Sequence, residues 1–113
     1  MIAGKIVAID FDGTITEHSQ HPVTGAIRPH CKEAIDTIRK HNTVVIWTAR
    51  SGQNLQEAIG RLKAAGITYD AINIDVKGGM QRKIEADIFI DDRALFTPQE
   101  IDWAEIEQIF TEG

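Results

Sequence analysis

A chain of 113 residues with 42% hydrophobic and 26% charged side chains has the size and balance of one globular domain, expected here over residues 1–113. Its net charge of −5 argues against a nucleic-acid or anionic-membrane surface, because those partners are themselves negative. Cys31 is the single cysteine, which excludes an internal disulfide; with an N-terminal apolar run too short for a signal segment and no membrane-length stretch, it points to a cytoplasmic protein.

The first element is Lys5-Ile6-Val7-Ala8-Ile9, an apolar run between Gly4 and the segment from Asp10 to Thr14, and it reads as a buried strand. Residues 15–28 are mostly polar and broken by Pro22 and Gly25, so a loop or flap is expected there. Pro29 suits a first helical turn, and Cys31, Ala34, Ile35 and Ile38 follow at helical spacing. Val44-Val45-Ile46-Trp47 is a second strand, ending at Thr48. Asn54, with Glu57 three residues on, is placed to cap a second helix; Leu55, Ala58, Ile59 and Leu62 form its apolar stripe and Gly66 stops it. Residues 71–74 make a weaker third strand, 77–80 a loop, 81–86 a short helix, and Ile88-Phe89-Ile90 a fourth strand ending at Asp91-Asp92. Thr97, Pro98 and Glu100 supply the cap, first turn and box partner of a last helix, whose inner face uses Ile101, Ala104, Ile106, Ile109 and Phe110.

Strands alternating with helices imply a parallel sheet covered on both faces, with ligands bound outside the carboxyl ends of its strands. The first strand ends in Asp10-Phe11-Asp12-Gly13-Thr14, the second in Thr48-Ala49-Arg50 and the fourth in Asp91-Asp92-Arg93. Every polar cluster able to do chemistry is therefore expected at one edge of the sheet. While the chain stays extended, Asp10 and Asp12 leave the same face. Packed beside Asp91 and Asp92 they would repel, and a hard divalent ion with oxygen ligands, magnesium, relieves that repulsion. A carboxylate attacking phosphorus gives an aspartyl-phosphate, and the developing charge is met by metal, backbone N–H groups and a lysine. Gly13 permits a sharp turn, the Thr48 hydroxyl and the Ala49 amide offer donors to a phosphoryl oxygen, and Lys77 or Lys83 offers a cation.

At these residues the chain resembles the haloacid dehalogenase superfamily of phosphohydrolases. Asp10-x-Asp12-Gly13-Thr14 after an apolar strand resembles its first motif, Val44 to Thr48 its second, and Ile88-Phe89-Ile90-Asp91-Asp92 its fourth. The resemblance implies a three-layer, Rossmann-like parallel sheet with helices on both faces. It makes Asp10 the nucleophile, and Asp12 the general acid/base whose backbone carbonyl also binds magnesium. Asp91 becomes a metal ligand, with Asp92 contributing directly or through water, and Thr48 binds the transferring phosphoryl group. Lys83 is preferred to Lys77 as the third-motif lysine. Caps in this family are inserted after the first motif or after the third strand. Residues 15–28 and 75–82 are too short for that, so no cap domain is expected, as in small bacterial and phage-type phosphatases carrying Trp-Thr-x-Arg.

The implied activity is a magnesium-dependent phosphatase acting on a phosphate monoester, with the open site accepting a bulky substrate or being covered by a second copy of the chain. Plainer readings stand beside the sharper ones. Paired acids such as Asp91-Asp92 often just line a solvated loop, and Arg50 either grips the substrate phosphate or sits on the surface. His18 and His21 have a metal-compatible spacing but no third ligand nearby, which favours a solvated flap; Trp47 and Trp103 read as packing residues. Phosphotransfer to an acceptor other than water and a receiver-like phospho-binding module are the alternatives. A catalytically dead module is disfavoured because every required acid is present, and a nucleotide-binding loop of the G-x-G-x-x-G or G-x-x-x-x-G-K type is absent.

Overall fold

The computed structural model describes residues 1–19, 24–73, 85–92 and 101–112. Strands β1 (Ile6–Asp10), β2 (Thr43–Trp47), β3 (Ala71–Ile72) and β4 (Ile88–Ile90) form one sheet in the order β3-β2-β1-β4, with every pairing parallel. β1 and β2 are apolar at consecutive positions, as strands buried on both faces must be. Asp10 lies opposite Trp47, and Ile9 lies opposite both Ile46 and Ile90. That register brings the carboxyl ends of β1, β2 and β4 level, so Asp10, Thr48 and Asp91 leave the sheet at a common edge.

Side chains alternate across each strand. Val7, Ile9, Val44, Ile46 and Ile90 share one core with residues of three helices: Cys31, Ala34, Ile35 and Ile38 of α1 (Cys31–Arg39), Ala58 and Leu62 of α2 (Gly52–Ala64), and Trp103 and Phe110 of α3 (Trp103–Thr111). Each fully buried Ile, Val or Leu there contributes roughly 1.5–3 kcal/mol of transfer free energy. On the opposite face Ala8 and Val45 are buried, with Ile6, Ala71 and Ala86 packed against them. The fold is the expected Rossmann-like α/β arrangement of a parallel sheet with helices, and the described residues hold no cap domain. Among the described residues no helix is long and apolar enough to cross a membrane.

Local chemistry moves several boundaries. Pro29 lies before α1 rather than in its first turn, because His30 adopts a left-handed conformation (φ 66°) at the N-cap. α2 starts at Gly52 behind an extended Ser51, so Asn54 sits inside the first turn and is no cap. β3 stops at Ile72, where Asn73 turns left-handed (φ 54°); residue 74 and most of the short helix expected over 81–86 lie outside the described residues. Thr97, Pro98 and Glu100 lie outside them too. The cap of α3 is Asp102, whose carboxylate accepts from the Ala104 and Glu105 amides at 3.1 and 3.2 Å. Trp103 and Phe110 face inward with Ile101 and Ile106 packed beside them, whereas Ala104 and Ile109 are exposed, so the inner face is rotated from the expected one.

The expected flap has a regular base. Thr16 and Ile27 form an antiparallel bridge, the Glu17 amide donates to the Ala26 carbonyl (2.8 Å), and the Arg28 amide donates to the Ile15 carbonyl (2.8 Å). Gly25 is required by this close approach: a Cβ there would lie 2.1 Å from the Glu17 carbonyl oxygen.

Candidate active site

Directly after β1 the chain makes a five-residue turn, Phe11–Ile15, with Phe11 and Ile15 anchored in the core. Gly13 sits at φ 82°, and a Cβ there would come within 2.6 Å of Asp92 Oδ2. Only glycine fits both the backbone and that carboxylate. Buried Arg28 donates from Nη2 to the Gly13 carbonyl (2.8 Å) and from Nε to the Thr16 carbonyl (3.0 Å). Buried Trp103 donates its indole N–H to the Thr14 carbonyl at 2.9 Å, and the Gly13 amide donates to Thr16 Oγ1 at 3.2 Å. The turn is thus fixed by distant side chains as well as by its own backbone.

Asp10 closes β1 and accepts a hydrogen bond from the Thr14 hydroxyl at 3.3 Å. Burial, then the charge of Asp92, and less strongly those of Asp12 and Asp91, push its carboxyl up to about 7; the Thr14 hydroxyl opposes the rise. Asp92 is largely buried, with His18 Nδ1 from the flap 3.4 Å from its Oδ2, while Asp91 is exposed. Three of the four carboxylates named from the sequence therefore act on the fourth, Asp10.

Asp12 does not continue the strand's alternation, because the turn begins at Phe11. Its carboxylate is held by Arg50, with Nε to Oδ2 at 2.9 Å and Nη2 to Oδ1 at 2.7 Å, and the guanidinium lies 5.3 Å from the centre of the Phe11 ring. Asp12 and its neighbours raise the Arg50 pKa, so that charge is permanent. Thr48 is buried at the end of β2; its amide donates to Asn73 Oδ1 (2.8 Å), and its hydroxyl oxygen accepts from the Arg50 amide (3.1 Å). Accepting there leaves the Thr48 hydroxyl proton to donate outward. Ala49 is exposed between them. Lys77 and Lys83 lie outside the described residues, as does His21. Trp103 is core packing, as expected, and Trp47 is partly exposed at the sheet edge.

Magnesium is tested by the donor chemistry. Among the described residues no three carboxylate, imidazole or thiolate side chains already close a cation cage. The implied donor set is different: carboxylate oxygens of Asp10 and Asp91, Asp92 directly or through water, and the Asp12 carbonyl. An oxygen-only set around a carboxyl destabilised as an anion by its acidic neighbours fits a hard divalent ion. Arg28, Asn73 and Thr24 are contributors that no sequence pattern marked, and His18, noted only for its spacing from His21, stands beside Asp92. Thr14 belonged to the quoted motif but had no role until its hydroxyl was placed on Asp10.

Residues 5–95 match the model of the NLI interacting factor-like phosphatases. A conserved protein from Bacteroides thetaiotaomicron of solved structure is 36% identical, with a TM-score of 0.77 over 93% of this chain and 88% of that one. No curated protein matches significantly. The family match runs from the start of β1 past the acidic pair after β4 and takes in Thr48 between them. The chain belongs to the NLI interacting factor-like phosphatase family, within the haloacid dehalogenase superfamily.

Proposed function

We propose that the chain is a magnesium-dependent phosphoric monoester hydrolase working through an aspartyl-phosphate on Asp10. The observation that carries this reading is the setting of Asp10. It is a partly buried carboxylate at the carboxyl end of the sheet, surrounded by Asp12, Asp91 and Asp92, with the buried Thr48 hydroxyl at the end of the adjoining strand.

In the first step an Asp10 carboxylate oxygen attacks phosphorus, and the bond from phosphorus to the ester oxygen breaks. Asp12, entering as the acid, gives its proton to that oxygen, and the alcohol departs. The Thr48 hydroxyl and the Ala49 amide donate to the phosphoryl oxygens, with Lys83 favoured over Lys77 as the cation beside them. In the second step Asp12, now the base, takes a proton from a water. The resulting oxygen attacks phosphorus, the bond to Asp10 breaks, and inorganic phosphate leaves. A magnesium ion held by Asp10, the Asp12 carbonyl and Asp91, with Asp92 directly or through water, supplies neutralisation of the clustered negative charge.

The test is chemical trapping. Acid quenching during turnover of an aryl phosphate should yield a phosphorylated peptide containing Asp10. Asp10→Asn should lose turnover by several orders of magnitude while remaining folded. Chelation should abolish activity and added magnesium restore it. Full activity of Asp10→Asn, or turnover insensitive to chelation, would end the respective part of this reading.

A further inference from the structure

Arg50 follows Thr48 by two residues, and its place beside the phosphoryl-binding segment suggests a substrate clamp. Its hydrogen bonds argue otherwise. Nε and Nη2 grip the two oxygens of Asp12 at 2.9 and 2.7 Å, Nη2 also donates to Thr24 Oγ1 at 3.0 Å, and Nη1 donates to the Asn54 carbonyl at 3.3 Å. These four bonds leave at most one N–H of the guanidinium, and the group is pressed over the buried Phe11 ring with its side chain only 13% exposed. A bidentate grip on a phosphoryl group would require this network to come apart.

The network continues away from the site. Buried Thr24, on the returning limb of the flap, accepts from Arg50 and donates its own hydroxyl to Glu57 Oε1 of α2 at 2.8 Å. Four segments meet in the series Glu57, Thr24, Arg50 and Asp12: helix, flap, β2–α2 connection and catalytic turn. Asp12 itself is half-exposed on a turn. Without such a support it would sample several rotamers, of which few face an ester oxygen bound at Asp10. The bidentate contact uses one acceptor direction on each Asp12 oxygen. A carboxylate has further lone pairs, so Asp12 can exchange a proton while it is held.

We propose that Arg50 is a positioning residue for Asp12, and that Thr24 and Glu57 fix Arg50 in turn, so that the flap and α2 set where the acid/base stands. The inference rests on the reading of Asp12 as acid/base. It predicts a loss tied to proton transfer and not to phosphate binding. Arg50→Ala should lower kcat/KM for an alkyl phosphate by about 10²-fold, the lower end of what general acid–base catalysis contributes. For p-nitrophenyl phosphate, whose leaving oxygen needs little protonation, the loss should stay within about tenfold, and the inhibition constant of inorganic phosphate within about threefold. Arg50→Lys keeps the charge but not the planar fork and should recover little.

Thr24→Val is nearly isosteric and outside the catalytic set. It should show the same pattern more weakly, and should add nothing in an Arg50→Ala background, since one network carries both effects. Melting curves of each variant separate these losses from unfolding. Equal losses on the two esters with a raised phosphate inhibition constant would overturn the inference in favour of a clamp, and faster turnover in Arg50→Ala would overturn it in favour of a latch. Wild-type turnover of either ester supports the parent reading independently. Its absence on both would overturn that reading and this one with it.

Discussion

If Asp10 stands as a strained anion among other acids, removing its charge should stabilise the metal-free protein. Its carboxyl is raised from 3.8 to about 7, first by burial and then by the charge of Asp92. A raised folded-state value means the native protein holds its proton more tightly than the unfolded chain. The associated stability is complete below about pH 4 and is lost as pH rises through 7. The full shift corresponds to about 4 kcal/mol, and because the group is partly solvated roughly 1–3 kcal/mol is the expected penalty at neutral pH. Asp10→Asn removes the charge and keeps an acceptor for the Thr14 hydroxyl. In chelator at pH 7.5 the variant should melt roughly 4–12 °C above the wild type. The gap should shrink toward zero near pH 4. Magnesium should close it from the other side, because it binds the wild-type native state and raises that Tm by mass action. Calorimetry at pH 4, 5.5 and 7.5, with and without magnesium, reads all three effects. A variant no more stable than the wild type at pH 7.5 in chelator, or a gap independent of pH, would refute the electrostatic account of the site.

Gly13→Ala places a Cβ 2.6 Å from Asp92 Oδ2 at a left-handed backbone position; it should cost about 1–3 kcal/mol in a denaturant titration and remove most turnover. Trp103→Phe keeps the ring in the core but leaves the Thr14 carbonyl without its 2.9 Å donor, so a loss of about 1–3 kcal/mol and a lower kcat are expected. The His30 pKa is raised by its 2.9 Å hydrogen bond to Glu107, which also accepts from Thr37, and the Glu107 pKa is lowered in return. That tie between α1 and α3 should weaken as pH rises through the elevated His30 value, and as pH falls through the depressed Glu107 value. The Tm of the wild type should therefore drop relative to Glu107→Gln on going from pH 6 to 8.5, and an unchanged difference would refute the coupling. Residues 15–28 and 75–82 are too short to hold a cap that reads the leaving group, so a monomer should discriminate weakly among small phosphate esters. Light scattering with a phosphoester panel tests this, and a strict monomer selective for one small metabolite would contradict it.

The acidic edge was legible because strand-end position is encoded by short apolar runs. Ile6 to Ile9, Val44 to Trp47 and Ile88 to Ile90 read as short strands, and whatever follows them must emerge together once the strands pair in parallel. The supports beneath that edge were not legible. Arg28 reaches the Gly13 carbonyl across 15 residues and Trp103 reaches Thr14 across 89, so neither partner is implied by any local period. Arg50 was visible as a cation after Thr48, but its target depends on where the turn at Phe11 throws Asp12. Cap positions failed for a related reason. Ser51 and His30 precede their helices without the spacing signature that Asn54 displays, whereas Asp102, with Glu105 three residues on, carries that signature and caps α3.

A site without a cap has a physical problem that these supports answer. Where a cap closes over a substrate, part of the orientation of the acid and of the phosphoryl group is supplied from above, at the moment of closure. Among the described residues no such body stands over the site, so the orientation has to be built from below and be present before the ester arrives. The turn after β1 is accordingly tied to Arg28 at the flap base, to Trp103 in the last helix, and through Asp12 to Arg50 and the flap's other limb. Thr48 is likewise held by Asn73, whose left-handed backbone at the end of β3 turns its side-chain oxygen onto the Thr48 amide. Each tie is a hydrogen bond from a buried or half-buried donor and is thereby worth more in rigidity than an exposed one. Under the mechanism proposed above, preorganisation of this kind favours speed on any ester that presents its phosphate to Asp10. It adds nothing that distinguishes one alcohol from another, so the breadth of acceptance expected of this enzyme follows from where its rigidity is placed.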